Sequence, residues 1–315
     1  MRSINKNFNL APEEWKRKLR NKLATLIREG ANHRPTKRIY NHALKADLAV
    51  YYHDKCGYCE QALGNVQRTE NFYSIEHYRP KRGPHSYWWL GYEWTNIFPA
   101  CQTCNNSKDR DFPLLDEALR RTGPQSPLTQ NIEDYLNDQS RKADHDYLLE
   151  EQALLLHPEV DSVEDYLAVN FNGMLVPRPK LTDVKTKRAE VTINCLSLNR
   201  SSLQEKRKKI IDDFQLQLKN ELVKSGFAEP TKAVLEGSFF PIYQSLIEGL
   251  REIQVFHLVY ECIITEIEAM LFQGIINDLI KDYLPLDEEM KQMLLFFLNR
   301  SWELYIEELN KALIP

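Results

Sequence analysis

Four of the six cysteines stand as two C-x-x-C pairs, Cys56/Cys59 in CGYC and Cys101/Cys104 in CQTC. That spacing lets two tight turns converge on one tetrahedral Zn²⁺. A bound metal lowers the thiol pKa, so thiolates coordinate it at neutral pH. A closed four-sulfur shell leaves no position for substrate, so such an ion holds the fold and takes no part in turnover. The alternatives are buried free thiols or a redox pair, and a redox pair leaves the second C-x-x-C unexplained. Cys195 and Cys262 stand alone in apolar segments and read as core residues.

Between and after the pairs lie residues of another kind. YSIEHYRPK sets Glu76 beside His77, with Pro80 close behind; WTNIFPACQTCNNSKD carries Asn96, Asn105, Lys108 and Asp109. Phosphodiester hydrolysis needs a base to deprotonate water, a divalent cation to polarise the phosphate, and a group that holds the base in the right tautomer. This stretch contains side chains for all three. On a strand, neighbours point to opposite faces, so Glu76 and His77 can share one site only where the backbone bends or twists. Taken singly, the Glu–His pair reads as a surface ion pair and Asn105 as a helix cap; their joint placement around the cysteine pairs favours catalysis.

In these motifs the sequence resembles the HNH, or ββα-metal, nuclease family in the form that carries a zinc knuckle. The resemblance implies His77 as general base, Glu76 and Asn105 as ligands of a catalytic Mg²⁺- or Mn²⁺-like ion, and Asn96 as the residue that fixes the hairpin loop and His77. Lys108 is then a candidate phosphate contact and Asp109 a candidate further ligand. Glu76 stands where the family more often has Asp, and Asn105 where many members have His; both changes favour a hard, oxygen-preferring cation. A narrower likeness covers roughly residues 16–214, through CEQAL, IEHYRPK, LLLHPEVDSVEDYL, FNGMLVP and LNRSSLQEKR. There the chain is similar to the PtuB-type HNH effectors of Septu and retron-associated anti-phage systems. That likeness implies a nucleic-acid target and a PtuA-like ATPase partner. A stand-alone restriction or homing nuclease, and a zinc-knuckle binding module without turnover, are the competing readings.

The elements that must position these residues follow from periodicity and punctuation. A helix is predicted over 12–29, with Trp15, Leu19, Leu23 and Leu26 on one face and Gly30 as its stop, and a second over 36–54 delivers the chain to Cys56. From Cys56 to about Leu115 the texture is that of a compact two-strand-and-helix metal module, in which Trp89 and Trp94 are expected to pack in the core. Strands are predicted at ALLLHP and on either side of Asn172–Gly173, and helices over 183–196 and 201–222. After the boundary at Ser225, Gly226 and Pro230, apolar residues recur from Leu246 through Leu250, Ile253, Phe256, Tyr260, Ile263 and Ile267 to Met270. They predict one long amphipathic helix, and a second is predicted over 287–313.

The fold class expected is mainly α with an embedded ββα-metal, zinc-containing core, α+β overall. Its segments are basic N-terminal helices (1–54), the HNH core (55–122), a PtuB-like mixed region (123–225) and an acidic helical region (226–315). With 43% hydrophobic residues, 315 residues can bury a real core. Net charge is −4, unevenly spread: residues 1–45 hold twelve Lys/Arg against three Asp/Glu, residues 226–315 six against fifteen. The basic end suits phosphate and the acidic end does not. No apolar run reaches the roughly 20 residues of a membrane span, so a cytoplasmic location without membrane contact is the expectation.

Overall fold

The computed structural model describes residues 1–6, 11, 13–33, 42–63, 73–125, 131–226, 231–250, 256–282 and 288–313. The predicted helix start at 36, together with Pro12, Pro230, Ile253 and Asp287, falls outside them. The protein is mainly α-helical with two small two-stranded sheets. It divides into two compact units, one made of Met1–Leu167 and Val176–Leu198, the other of Ala168–Leu175 and Asn199–Pro315. Among the described residues no helix is long and apolar enough to cross a membrane.

In the first unit, α1 (Glu13–Glu29) buries Trp15, Leu19, Leu23 and Leu26 and stops at Gly30, which takes a φ of +53°. Helix α2 (His42–Tyr51) buries Leu44 and Leu48 and leads into the first cysteine pair. Strand β1 (Tyr73–His77) pairs antiparallel with β2 (Ile97–Cys101), Glu76 opposite Phe98 and His77 opposite Ile97, and α3 (Gln102–Lys108) follows without a break. Between the strands the aromatic segment makes two short 3₁₀ turns in which Trp88, Trp89 and Trp94 are buried, as expected of packing residues. Tyr58 meets Phe98 edge-on at 5.0 Å and Tyr78 meets His157 at 4.3 Å, so aromatic rings fill the space beside the hairpin.

Short helices α4 (Ile132–Asn137) and α5 (Asp146–Leu149) come next. The strand predicted at ALLLHP does not form. Ala153 makes one isolated bridge to Leu114, and the buried leucines that follow bond irregularly: Leu154 N–H donates to Pro113 O, Leu156 N–H to the Thr192 hydroxyl. An apolar run reports burial; a strand needs a continuous partner edge, and residues 113–115 run alongside for a single bridge. The predicted hairpin does form, as β3 (Leu167–Val169) and β4 (Leu175–Pro177) around Gly173, and α6 (Asp183–Cys195) ends the first unit's helices close to its predicted bound. Cys262 is buried, as read from its neighbours, while Cys195 is half-buried.

The second unit is helical: α7 (Ser201–Lys224), α8 (Lys232–Val234), α9 (Phe240–Glu248), α10 (His257–Thr265), α11 (Gln273–Asp282) and α12 (Glu288–Leu313), with π turns at Leu235–Phe239 and Glu268–Phe272. The single long helix predicted through 246–270 is therefore corrected. Helix α9 ends at Glu248, Phe256 has a left-handed φ of +56°, and α10 begins after it. A Cβ added to Gly249 would lie 1.9 Å from the Tyr260 ring, so the end of α9 meets α10 where only glycine fits. The apolar period continues across the break because both helices face one core, which includes Phe239, Tyr243, Leu246 and Phe272.

Candidate active site and metal centre

The two C-x-x-C turns meet at the start of α3. All four Sγ atoms lie within 4.8 Å of one another, and those of Cys59 and Cys101 are 3.8 Å apart. Sulfurs bound at about 2.3 Å to one tetrahedral ion stand about 3.8 Å apart, so the spacing is that of a zinc shell. The backbone aims them. Cys56 N–H donates to Gln61 O and Glu60 N–H to Cys56 O, both at 3.0 Å, with Glu60 in a left-handed conformation closing the turn. At Gly57 a Cβ would sit 2.8 Å from the Tyr52 ring and 2.9 Å from the Phe98 ring. Cys101 is the N-cap of α3 and its sulfur accepts from Cys104 N–H at 3.4 Å. Burial pushes the Cys56 thiol up, while hydrogen bonds from Cys104 and then Cys56 hold Cys101 low. Sulfurs this close cannot all ionise by themselves, whereas a dication at their centre lets them do so. The four cysteines are thus placed to bind a zinc ion. Among the described residues, no other trio of His, Cys, Asp or Glu ligand atoms gathers in this way.

Glu76 and His77 are both buried, at 3% and 6% exposure, and make separate contacts, as strand neighbours do. Glu76 Oε1 lies 2.8 Å from Lys108 Nζ and accepts from the Tyr58 hydroxyl at 3.4 Å. His77 Nε2 lies 3.0 Å from Gly91 O; Lys81 Nζ lies 3.0 Å from His77 Nδ1 and 3.2 Å from Nε2. A carbonyl oxygen can only accept, so Nε2 carries the proton of the neutral ring and Nδ1 keeps its lone pair. Burial, reinforced by the Lys81 charge, holds His77 well below the usual imidazole range, so the ring is neutral. Lys81 is itself lowered to about 8, by burial and then by Arg82. Burial raises Glu76 against the opposing pull of Lys108, which also donates to the His77 carbonyl at 3.1 Å.

Two lysines therefore join the pair that the sequence sets side by side. Lys108, expected at a phosphate, is instead wholly buried against Glu76. Asn105 is half-buried one turn before Lys108, on the same face of α3. Asp109 is exposed just past the helix end, with a φ of +45°. Neither Asn105 nor Asp109 makes a side-chain hydrogen bond or ion pair with a described residue. Sequence reasoning passed over Lys81, Tyr58 and Gly91. Lys81 had a signal of its own, a cation four residues after His77, inside the motif.

Asn96 ties the end of β1 to the loop that carries Gly91. Its Oδ1 accepts from Arg79 N–H at 2.8 Å, and its Nδ2 donates to Arg79 O and Leu90 O at 3.1 Å each. Arg79 is fixed in turn by Glu151 (2.8 Å) and Leu148 O (2.8 Å). Asn96→Ala would strand buried partners and is expected to cost about 3 kcal/mol of unfolding free energy, read by urea denaturation. A change near zero would mean that the loop is held elsewhere.

Beside the hairpin, His157 Nε2 lies 3.1 Å from Thr95 O, and burial, followed by the Arg79 and Lys6 charges, holds this ring well below its ordinary value of 6.5. His77 shifts the same way. Below about pH 6.5 the unfolded chain takes up protons that the folded rings refuse, so stability present above that pH is lost as pH falls toward the lowered values. Each ring contributes up to about 1.4 kcal/mol per pH unit. The raised carboxyls of Glu76 and Glu159 act in the opposite sense, from the carboxylate range upward. Denaturant unfolding between about pH 7 and about pH 5.5 should show the loss, with a shallower slope for His157→Gln. Equal slopes for the two proteins would contradict the assignment.

No family model matches the chain. It is 27% identical over 194 residues to the Septu protein PtuB of Bacillus mycoides (strain KBAB4), a match covering 58% of this chain and 56% of PtuB. The chain is similar to Septu proteins. A second match, 28% identical over 181 residues, is to the Septu protein PtuA of the same strain and covers 54% of this chain and 21% of PtuA. The chain thus spans about half the length of PtuB and about a fifth of PtuA. The likeness to PtuB accords with the resemblance carried by the motifs. The chain is thus similar also to part of PtuA, the protein whose type the motifs implied as a partner.

Proposed function

We propose that the protein is a metal-dependent HNH endonuclease that hydrolyses phosphodiester bonds in nucleic acid, as the nuclease component of a Septu-type anti-phage system with a PtuA-like ATPase partner. The observation that carries this reading is the buried His77, its Nε2 3.0 Å from Gly91 O, following the buried Glu76 on the strand-strand-helix unit that carries Cys101 and Cys104. The basic N-terminal segment supports salt-sensitive phosphate contact, and the similarity to PtuB and PtuA supports the defence setting.

The oxygens of Glu76 and Asn105 suit a hard cation, and the Lys108 ammonium 2.8 Å from Glu76 Oε1 supports positive charge beside that carboxylate. When bound, a Mg²⁺ or Mn²⁺ ion held by these residues supplies Lewis-acid polarisation of the phosphate. His77 supplies the base. Nδ1, once Lys81 gives way to a water molecule, takes that water's proton as its oxygen bonds to phosphorus; the bond to the 3′ oxygen breaks and that oxygen takes a proton from solvent water, leaving a 5′-phosphate and a 3′-hydroxyl. Gly91 and Asn96 hold the ring and its loop while this occurs.

The test is incubation of the purified protein, alone and with a PtuA-like ATPase, with plasmid DNA and with tRNA in Mg²⁺ or Mn²⁺. Cleavage that leaves 5′-phosphate ends and stops on chelation is the expected result. Intact plasmid and tRNA under every condition, the ATPase included, would overturn the proposal.

A further inference from the structure

Building on the nuclease reading, we propose that Lys108 is the resident counter-ion of Glu76, filling the cation position of the site, and that a divalent ion binds only by displacing it. Lys108 Nζ is held between two oxygens, Glu76 Oε1 at 2.8 Å and His77 O at 3.1 Å, and the residue is 0% exposed. Carboxylate and carbonyl oxygens around one positive charge are also the ligands that a hard divalent cation takes.

An ammonium and a divalent ion compete for that carboxylate: their mutual repulsion is weakly screened in a buried site, and Glu76 Oε1 already takes both the Lys108 ammonium and the Tyr58 hydroxyl. Some cation must be there, because a buried carboxylate without a partner is strongly destabilising. Lys108 therefore keeps the acid charged and the strand–helix junction closed in the metal-free protein.

The lysine is also placed to leave. It is the last residue of α3, on a flexible four-carbon stem, and the chain turns out of the helix at Asp109. Asp109 and Asp111 are both exposed and acidic immediately beyond it, so a released ammonium has carboxylates within reach at the surface. Ion entry, lysine release and opening of the carboxylate then form one event.

The experiment follows the lysine and the ion separately from turnover. Reductive methylation of the wild-type protein, mapped by mass spectrometry, should find Lys108 protected without added ion and modified at saturating Mn²⁺. Mn²⁺ affinity, read by electron paramagnetic resonance so that zinc is silent, should be about tenfold tighter in Lys108→Met than in wild type, the scale on which groups adjoining metal ligands act. It should be lost in Glu76→Gln. Lys108 that stays protected while Mn²⁺ binds through Glu76 would overturn the proposal and leave the nuclease reading standing. Lys108→Met binding no more tightly than wild type would overturn it as well. Should Lys108→Met not fold, the labelling of the wild-type protein decides the matter. Failure of the nuclease reading shows instead as absent cleavage in the assay above.

Discussion

Cleavage by the His77→Ala protein is expected to fall by about 10²–10⁴-fold, the span that a positioned general base contributes. The loss should be nearly all chemical. The ring is held by Gly91 O and Lys81 Nζ among others, and its removal costs the fold about 1–3 kcal/mol, well short of unfolding a protein of this size. The sulfur cluster uses none of the same atoms, so zinc content should be unchanged. Turnover, circular dichroism and zinc content measured on one preparation separate the two effects. A variant that cuts at the wild-type rate would remove His77 from the chemistry and with it the reading of the site.

Cys101→Ser should act on the other ledger, lowering stability by about 10 kcal/mol, the order that structural zinc supplies to small sites. Cys101 does three things. It donates one of the four sulfurs, its Sγ caps α3 through Cys104 N–H, and its own N–H donates to Cys56 Sγ at 3.3 Å. A serine hydroxyl can cap a helix but is a poor zinc ligand, so the expected result is loss of bound zinc and of the cooperative unfolding of the first unit. One equivalent of zinc retained with an unchanged melting temperature would show that the cysteines do not form a metal site.

Much of this site was legible in the residues. The C-x-x-C spacing located the sulfur cluster, and Glu76, His77 and Asn96 are at the hairpin where their motifs placed them. Helix α1 was readable because its end signals and its apolar period agree, and α6 and α7 begin where they were expected, α6 with a Thr182 cap and α7 without a side-chain cap. The lysine contacts were not readable, because they join residues 32 and 4 apart across a fold whose closure no pattern encodes: Lys108 on Glu76, and Lys81 on the ring of His77. The break after Glu248 escaped for a related reason. Hydrophobic period records which face is buried and is blind to a backbone that stops and restarts against the same core, as α9 and α10 do at Gly249. ALLLHP misled in the opposite direction, since three consecutive leucines report depth without specifying a hydrogen-bonding neighbour.

The pairing of Glu76 with Phe98 and His77 with Ile97 has an implication for how the chain can fail. A slide of one residue would turn every side chain over to the opposite side, and Glu76 and His77 would trade faces without any loss of composition. The bonds from the Asn96 amide to Arg79 and Leu90 oppose that slide like a peg through a sliding bolt. Alignment at this one amide thus fixes which side of the hairpin Glu76 and His77 each face.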